Sequence, residues 1–287
     1  MPENDVVIAT DQLCKVYRDF WGRAAVKAVT DLDLRVERGQ IYGLLGPNGS
    51  GKTTTIMLLL GLIFPTRGRA TVLDRPAGHL RAKRLIGYLP EETYLYKFLT
   101  AEQTLHFFGK LFNLPHQARR RRVDELLEMV GLDKKDRKRR VGTYSKGMAR
   151  RIGLAQALIN DPEVLILDEP TSGLDPLGSV EMKELLNRLQ SAGKTILLSS
   201  HLLADVEDVC DRVLILYRGQ MEMEGAVDDL LDVKDVWQLQ IRGGSEAMTR
   251  QIESLAHAEG AEVLRIGHRR QRLEDLFKTL IRQKMDE

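Results

Sequence analysis

A glycine-rich loop in the first fifth of the chain reads Gly46-Pro47-Asn48-Gly49-Ser50-Gly51-Lys52-Thr53, and it fits the pattern G-x-x-x-x-G-K-[ST]. It follows the short apolar run 41–45, which is typical of a buried strand, and it precedes a predicted helix over 53–63 that Pro65 closes. Glycines let backbone N–H groups turn toward phosphate oxygens, and the positive end of a helix favours an anion. Strand, loop and helix together predict a site for the phosphates of a nucleotide.

The residues of this loop are the first candidate binding residues. We expect the Lys52 ammonium to reach the β- and γ-phosphates of ATP, the Thr53 hydroxyl to ligate Mg²⁺, and Thr54 to help hold the α- and β-phosphates. The other expected ATP contacts in the loop are Gly46, Pro47, Asn48, Gly49, Ser50 and Gly51. ATP and Mg²⁺ are therefore the predicted cofactors.

A second candidate element is an apolar strand over 164–167 that ends in two carboxylates, Asp168 and Glu169. Ligands of open α/β sheets bind where strands end at their carboxyl edge. We expect Asp168 to hold Mg²⁺, in part through water. We expect Glu169 to act as the general base, or to polarise the water that attacks the γ-phosphate.

Patterns of strand and helix alternate along the rest of the chain. Further strands are predicted over 6–10 with an extension to 17, 29–36, 86–89, 195–199 and 213–216, and helices over 101–111, 117–130, 148–159 and 179–191. Strand, helix and strand at this spacing indicate βαβ units and a mainly parallel sheet. Beyond the acidic stretch 228–235, strands over 236–242 and 262–266 and helices over 247–257 and 273–284 predict a small α/β appendage.

Composition narrows the classes of function. The 287 residues carry a formal net charge of +2, which argues against a general attraction to nucleic acid. The longest apolar run, 56–64, is far shorter than the about 20 residues that a membrane-spanning helix needs. We therefore expect any membrane spans to belong to another chain. Two basic runs, 119–122 and 134–140, are typical of a solvated helical surface, and a surface beside anionic lipid is the alternative.

Three further motifs occur in a fixed order around the acidic strand. They are Tyr144-Ser145-Lys146-Gly147-Met148, Thr171-Ser172-Gly173-Leu174-Asp175-Pro176 and Ser199-Ser200-His201. With the glycine-rich loop, they make residues 5–230 resemble the ATP-binding subunits of ABC transporters. The resemblance implies a P-loop NTPase of the ABC ATPase type, with an antiparallel β subdomain at the N-terminus and a helical subdomain inserted at about 92–160. Residues 236–287 are then a small α/β accessory domain.

The resemblance also assigns residues to an ATP site shared between two subunits. Ser145 and Gly147 match the ABC signature, which contacts the γ-phosphate bound on the opposite subunit. The signature departs from the family's usual Leu-Ser-Gly-Gly-Gln at Tyr144, Lys146 and Met148.

Four other positions match family motifs outside the signature. Asp175 matches the loop that crosses the dimer interface, and His201 matches the histidine that contacts the γ-phosphate and positions Glu169. Glu91 stands where the family has glutamine, and its oxygens can serve Mg²⁺ or its waters. Tyr17 resembles the aromatic residue that stacks on adenine, with Phe20 and Trp21 as alternatives. The predicted catalytic set is thus Lys52, Glu169 and His201.

The implied function is an ATP-hydrolysing subunit of an ABC-2-type exporter, which powers a separately encoded multi-span permease. The implied assembly is a homodimer, or a heterodimer with a paralogue, with ATP at the interface and no nucleic acid. Its implied location is cytoplasmic, on the inner face of the membrane. The alternative is a soluble ABC ATPase with a mechanical or regulatory role, and a P-loop kinase is disfavoured by the signature and His201.

Overall fold

The computed structural model describes residues 5–18, 24–232, 243 and 245–263. Its strands are β1 (Val6–Arg18), β2 (Ala24–Glu37), β3 (Ile41–Leu45), β4 (Arg67–Val72), β5 (Arg75–Pro76), β6 (Ile86–Leu89), β7 (Val164–Asp168), β8 (Thr195–Ser200), β9 (Arg212–Tyr217) and β10 (Gln220–Ala226). Its α-helices are α1 (Lys52–Leu59), α2 (Leu80–Lys83), α3 (Ala101–Leu111), α4 (His116–Met129), α5 (Lys146–Ala157), α6 (Pro176–Ser191), α7 (Leu203–Val209), α8 (Val227–Leu231) and α9 (Glu246–Ala258). One 3₁₀ turn spans Val141–Thr143.

The larger sheet has six strands in the order β10-β9-β3-β8-β7-β6. The five strands from β9 to β6 are parallel, and β10 joins β9 in antiparallel fashion at one edge. Every residue of β3, β7 and β8 is buried, as expected for parallel strands that are covered on both faces. The prediction of an α/β fold with a mainly parallel sheet is confirmed.

The register of three neighbouring strands brings their carboxyl ends together. Leu45 at the end of β3 pairs with Ser200 of β8, and Asp168 at the end of β7 pairs with Ser199. The glycine-rich loop, the acidic turn formed by residues 168–170 and the segment that begins at His201 therefore leave the sheet at the same edge. This edge is where the candidate site forms.

The second sheet is antiparallel, with the order β2-β1-β4-β5. Its strands bury one face, and alternate residues of β2, such as Leu32, Leu34 and Val36, lie in the core. The backbone carbonyl of Ala28 in β2 lies so close to Gly51 that a side chain at Gly51 would collide with it. The antiparallel β subdomain is thus present, and it packs against the glycine-rich loop.

The inserted helical region consists of α3, α4 and the amino-terminal part of α5. Thr100 and Gln103 form a reciprocal capping box that begins α3, because each side chain accepts the other's backbone N–H. Buried apolar residues hold the three helices together, among them Leu105 of α3, Leu127 of α4 and Ile152 of α5. The helices predicted over this stretch are therefore present.

The predicted helix over 53–63 is too long at its end, because α1 stops at Leu59. Gly61 takes a left-handed conformation, with φ of 61°, and its Cα lies against the backbone of Gly78. Glycine adopts that conformation at little cost, and the close approach leaves no space for a side chain. The chain turns there, so the apolar residues up to Ile63 pack outside the helix.

The chain divides into two compact units, Met1–Leu231 and Asp232–Glu287. In the second unit the structure describes α9, which begins after Ser245, whose hydroxyl accepts the Met248 N–H at 3.3 Å. The helix predicted over 247–257 corresponds to α9. The strand predicted over 236–242, most of the strand over 262–266 and the helix over 273–284 lie outside the described residues, so the accessory domain stays a prediction.

Gly87 of β6 allows a close contact between the sheet and α5. A Cβ atom at this position would lie 2.2 Å from the carbonyl oxygen of Ala157. We predict that Gly87→Ala destabilises the protein by about 1–3 kcal/mol, because backbone atoms must move apart. Thermal unfolding measures the effect. Gly147→Ala is the control, since its Cβ would meet Leu174 at an ordinary 3.6 Å, and equal stability of both variants would contradict the packing argument.

Candidate active site at the carboxyl edge of the parallel sheet

The glycine-rich loop wraps around the side chain of its own lysine. The buried Lys52 ammonium donates to the carbonyl oxygens of Gly46 at 2.7 Å and Pro47 at 3.3 Å. Gly51 precedes α1 with φ of 109°, a conformation that glycine supplies without strain. The buried Ser50 hydroxyl has no hydrogen-bond partner among the described residues. A buried hydroxyl and a buried cation beside a helix N-terminus fit a bound phosphate.

Asp168 is buried at the end of β7 and is held by two hydroxyl groups. Ser199 of β8 donates to its Oδ1 atom at 2.5 Å, and Thr53 of α1 approaches the same atom at 3.4 Å. The structure thus brings together Thr53 and Asp168, the two residues that were each predicted to hold Mg²⁺. Hydroxyl and carboxylate oxygens are ligands of the kind that Mg²⁺ takes, together with phosphate oxygens and water.

Glu169 is the most constrained residue of the site. Its φ of 52° is left-handed, a conformation that costs a residue with a side chain about 1–3 kcal/mol. The Ser199 hydroxyl accepts its N–H at 3.0 Å. Its carboxylate lies between the Lys52 ammonium at 3.6 Å and the His201 Nδ1 atom at 2.8 Å. The structure thus brings together the three predicted catalytic residues.

A second group of predicted site residues lies at the starts of α5 and α6. The exposed Ser145 caps α5 by accepting the Met148 N–H at 3.2 Å, and the exposed Asp175 caps α6 by accepting the Gly178 N–H at 2.9 Å. The Leu174 side chain lies near Gly147, since a Cβ atom added at Gly147 would meet it at 3.6 Å, and the two helix starts are therefore neighbours. These residues present polar groups to the outside of the chain.

Two predicted contacts have a less defined setting. Glu91 is exposed. Its backbone carbonyl oxygen accepts a hydrogen bond from the Arg150 guanidinium at 2.7 Å. Tyr17 lies on β1 with 40% of its surface exposed and the Lys15 ammonium 5.3 Å from its ring centre. The alternatives to Tyr17 as the adenine-stacking residue, Phe20 and Trp21, lie outside the described residues.

Comparison with known proteins identifies this arrangement. A sequence model for the ABC transporter family matches residues 29–172. An uncharacterised ABC transporter ATP-binding protein of Synechocystis is 44% identical over 256 residues, which are 88% of this chain and 72% of the relative. The chain belongs to the ABC transporter family. It is an ATP-binding and ATP-hydrolysing subunit of that family.

Two further likenesses extend over most of the chain. The Nod factor export ATP-binding protein I of Bradyrhizobium sp. (strain SNU001) is 37% identical over 283 residues, covering 90% of this chain and 92% of that protein. A dimeric ATP-binding cassette solved in a post-hydrolysis state with ADP and Pi superposes with a TM-score of 0.70 and 25% identity, over 77% of this chain and 98% of the cassette. The glycine-rich loop and the acidic strand both lie within the residues that the family model matches.

In this ABC ATPase, the sequence analysis missed the role of Arg150. Its buried guanidinium donates to the carbonyl oxygens of Asp168, Glu169 and Pro170, and also to those of Pro90 and Glu91. Burial lowers the pKa of Arg150 to about 10, so the group stays charged at neutral pH. A charged residue on the apolar face of a helix is the one signal that points to it, since Gly153, Leu154 and Ala157 share that face.

A second missed residue is Asp205 of α7. It accepts hydrogen bonds from Thr171 at 2.5 Å and Ser179 at 3.5 Å, and it pairs with Lys183 at 3.2 Å. These contacts join the segment that follows His201 to the segment that follows Glu169. No local pattern in the sequence predicts this network, because its members come from three separate stretches of chain.

Among the described residues, no cluster of three or more histidine, cysteine or acidic residues is placed to hold a metal ion. None of the described helices combines the length and the apolar content that crossing a membrane requires.

The Ser199 hydroxyl holds the Asp168 carboxylate and the Glu169 backbone N–H at once, and its removal tests the site. We predict that Ser199→Ala lowers kcat for ATP hydrolysis about 10- to 100-fold, because Asp168 and Glu169 each lose a partner. Thr195→Val is the matched control, because it removes a part-buried hydrogen bond at the opposite end of β8. There the Thr195 hydroxyl accepts from the Gly39 N–H. Similar losses of kcat in both variants would show that Ser199 acts through stability alone.

Proposed function

We propose that this chain powers a separately encoded multi-span permease of the ABC-2 exporter type, as a Mg²⁺-dependent ATPase dimer at the inner face of the membrane. The related Nod factor protein is named for export, and this likeness extends over 90% of the chain. The observation that carries the proposal is the division of the predicted ATP site into two groups. Lys52, Glu169 and His201 form one group, and the exposed starts of α5 and α6 form the other.

The two groups suit opposite sides of one nucleotide. In the glycine-rich loop Ser50 and Lys52 are buried and Gly51 lies against β2, whereas Ser145 and Asp175 are exposed. A helix N-terminus attracts an anion through its free N–H groups and its dipole. Two copies placed head to tail can therefore close Ser145 and Gly147 of one over the γ-phosphate held by Lys52 of the other. A paralogous partner would satisfy the same geometry.

The first group supplies the chemistry of hydrolysis. Thr53 and Asp168, with Glu91 through water, would hold Mg²⁺, and the ion would neutralise charge on the phosphate oxygens. The Lys52 ammonium binds the γ-phosphate and moves away from its carbonyl partners. Glu169 accepts a proton from the attacking water, and His201 keeps its carboxylate oriented. Release of phosphate then weakens the dimer, since the closed state depends on that charge.

An exposed aromatic patch supports a membrane partner. It consists of Tyr94, Tyr96, Phe98 and Phe107. The ring centre of Tyr96 lies 5.8 Å from the ring centre of Phe98 and 5.6 Å from that of Phe107. Tyr94 is 81% exposed and Phe98 is 69% exposed. Tyr94, Tyr96 and Phe98 follow Glu91 in the chain by three, five and seven residues. Exposed aromatic clusters of this kind are typical of protein interfaces, where aromatic residues dominate the binding energy.

The general base is tested by Glu169→Gln. The amide keeps the shape of the side chain but cannot take a proton, so we predict a fall in kcat of about 10²- to 10⁴-fold with ATP binding retained. ATP should also hold the variant as a dimer in sedimentation, because hydrolysis no longer releases it. Glu163→Gln, at the other end of the same acidic strand, is the control and should keep the parent rate. Hydrolysis by Glu169→Gln at the parent rate would remove Glu169 from the mechanism.

The partner is tested by purification of the full chain from detergent extracts of its own cells, followed by mass spectrometry. We predict recovery of a multi-span membrane protein, and Phe98→Ser should weaken that complex about 30-fold, the equivalent of about 2 kcal/mol. Phe64→Ser is the control, since Phe64 is 79% exposed but lies outside the aromatic patch. Recovery of ribosomes or DNA in place of a membrane protein would favour the soluble mechanical ATPase.

A further inference from the structure

We propose that Arg150 is a positioning residue that transmits movement of the loop at 90–93 to the carboxylate of Glu169. This inference rests on the proposed role of Glu169 in hydrolysis. Arg150 lies in the second turn of α5 and is almost completely buried. Its guanidinium donates to two separate segments at once, the turn after β7 and the loop after β6.

On one side, Arg150 holds three consecutive carbonyl groups of the acidic turn. Its Nη2 atom donates to the oxygens of Asp168 and Glu169, the latter at 2.7 Å, and its Nε atom donates to Pro170 at 3.2 Å. Three fixed carbonyls define the orientation of the peptide groups on both sides of Glu169. These bonds therefore help to keep Glu169 in its left-handed conformation, which directs the carboxylate to Lys52 and His201.

On the other side, the Nη1 atom of Arg150 holds the loop after β6. It donates to the carbonyl oxygens of Pro90 and Glu91 and to the Thr93 hydroxyl at 3.4 Å. A second contact keeps α5 close to this loop. A Cβ atom at Gly153 would lie 2.6 Å from the Thr93 methyl group, so the helix and the loop have no space between them.

Arginine is the side chain that suits this task. Its guanidinium is planar and presents five N–H donors in a fixed fork, whereas lysine presents one ammonium on a flexible stem. A lysine at this position would keep the positive charge near Asp168 and Glu169. It would lack the rigid spread of donors that reaches both segments. Arg150→Lys therefore separates the geometric role from a role of charge alone.

The position of the aromatic patch shows how a bound partner would act on Glu169 through Arg150. A partner that binds Tyr94 and Phe98 acts on chain that begins one residue beyond Thr93. Displacement of Pro90 or Glu91 must stretch or break bonds to Arg150, and the same guanidinium holds the carbonyl of Glu169. Displacements of about 1 Å in a catalytic group can cost about 100-fold in rate. A permease bound at the patch could thereby raise or lower hydrolysis.

The first experiment compares Arg150→Lys with Arg151→Lys in the full chain. Arg151 also donates to two backbone carbonyls, those of Val130 and Gly131, and pairs with Glu181, but it does not touch the acidic turn. We expect Arg150→Lys to lower kcat about 10- to 100-fold while KM for ATP changes less than about threefold. Arg151→Lys should keep kcat. A kcat for Arg150→Lys that equals the kcat of Arg151→Lys would overturn the proposal.

Hydrogen exchange gives a readout that does not depend on hydrolysis. In Arg150→Lys, the amides of residues 91–94 and 171–172 should exchange faster together, while those of α1 should not change. Faster exchange throughout the chain, or in one segment alone, would contradict a coupling role. This measurement tests the coupling role of Arg150 even if the parent protein hydrolyses no ATP. Absence of hydrolysis by the parent would instead count against the role of Glu169 and the proposed function.

Two further variants cover other outcomes. In a Glu169→Gln background, Arg150→Lys should change the residual rate less than about twofold, because its effect passes through that carboxylate. If Arg150→Lys does not fold, Gly153→Ala replaces it, since the new methyl group pushes on Thr93 and leaves Arg150 unaltered. Gly153→Ala should then lower kcat with KM retained, and an unchanged kcat would overturn the proposal.

Discussion

The site depends on keeping buried charges of opposite sign in contact. Lys52 and Glu169 are both buried, and their charged atoms lie 3.6 Å apart. A buried charge without a partner is strongly unfavourable, so each of these groups is tolerated because the other is present. Their encounter requires the ends of β3 and β7 to meet at one edge of the sheet with β8 between them. The register of the parallel strands therefore sets the electrostatics of the site, and the helices and the second sheet serve to keep that register.

Much of this edge could be predicted because its determinants are local. The glycine-rich loop and the apolar strand that ends in Asp168 and Glu169 are each contained in about eight consecutive residues. Such short patterns predict both the local structure and the chemistry of phosphate binding and hydrolysis. Neighbouring parallel strands of one sheet then place their carboxyl ends at the same edge. The contact between Thr53 and Asp168, 115 positions apart in the chain, follows from two local patterns and one rule of topology.

The parts that escaped prediction are those that depend on distant contacts. Arg150 reads as a member of a basic helix, and its five carbonyl partners become visible only when two loops are packed against α5. The early end of α1 at Leu59 is a similar case, because the left-handed Gly61 fits against Gly78 from another segment. Patterns of apolar residues report that a face is buried, but they do not report which backbone atoms lie opposite it.

In the proposed dimer, the cap of α5 lets one serine serve both its own helix and the phosphate held by a second copy. Ser145 uses an oxygen lone pair to accept the Met148 N–H, so its hydroxyl hydrogen stays available to a donor-seeking anion. The first N–H groups of a helix have no partner within the helix, and those of Lys146 and Gly147 stand beside that hydroxyl. The cap thus orders the donors before any nucleotide arrives, and a bound phosphate gains charge-assisted hydrogen bonds without first ordering the loop. Because this helix start is exposed, the binding energy is available for joining two chains, which links ATP binding to assembly.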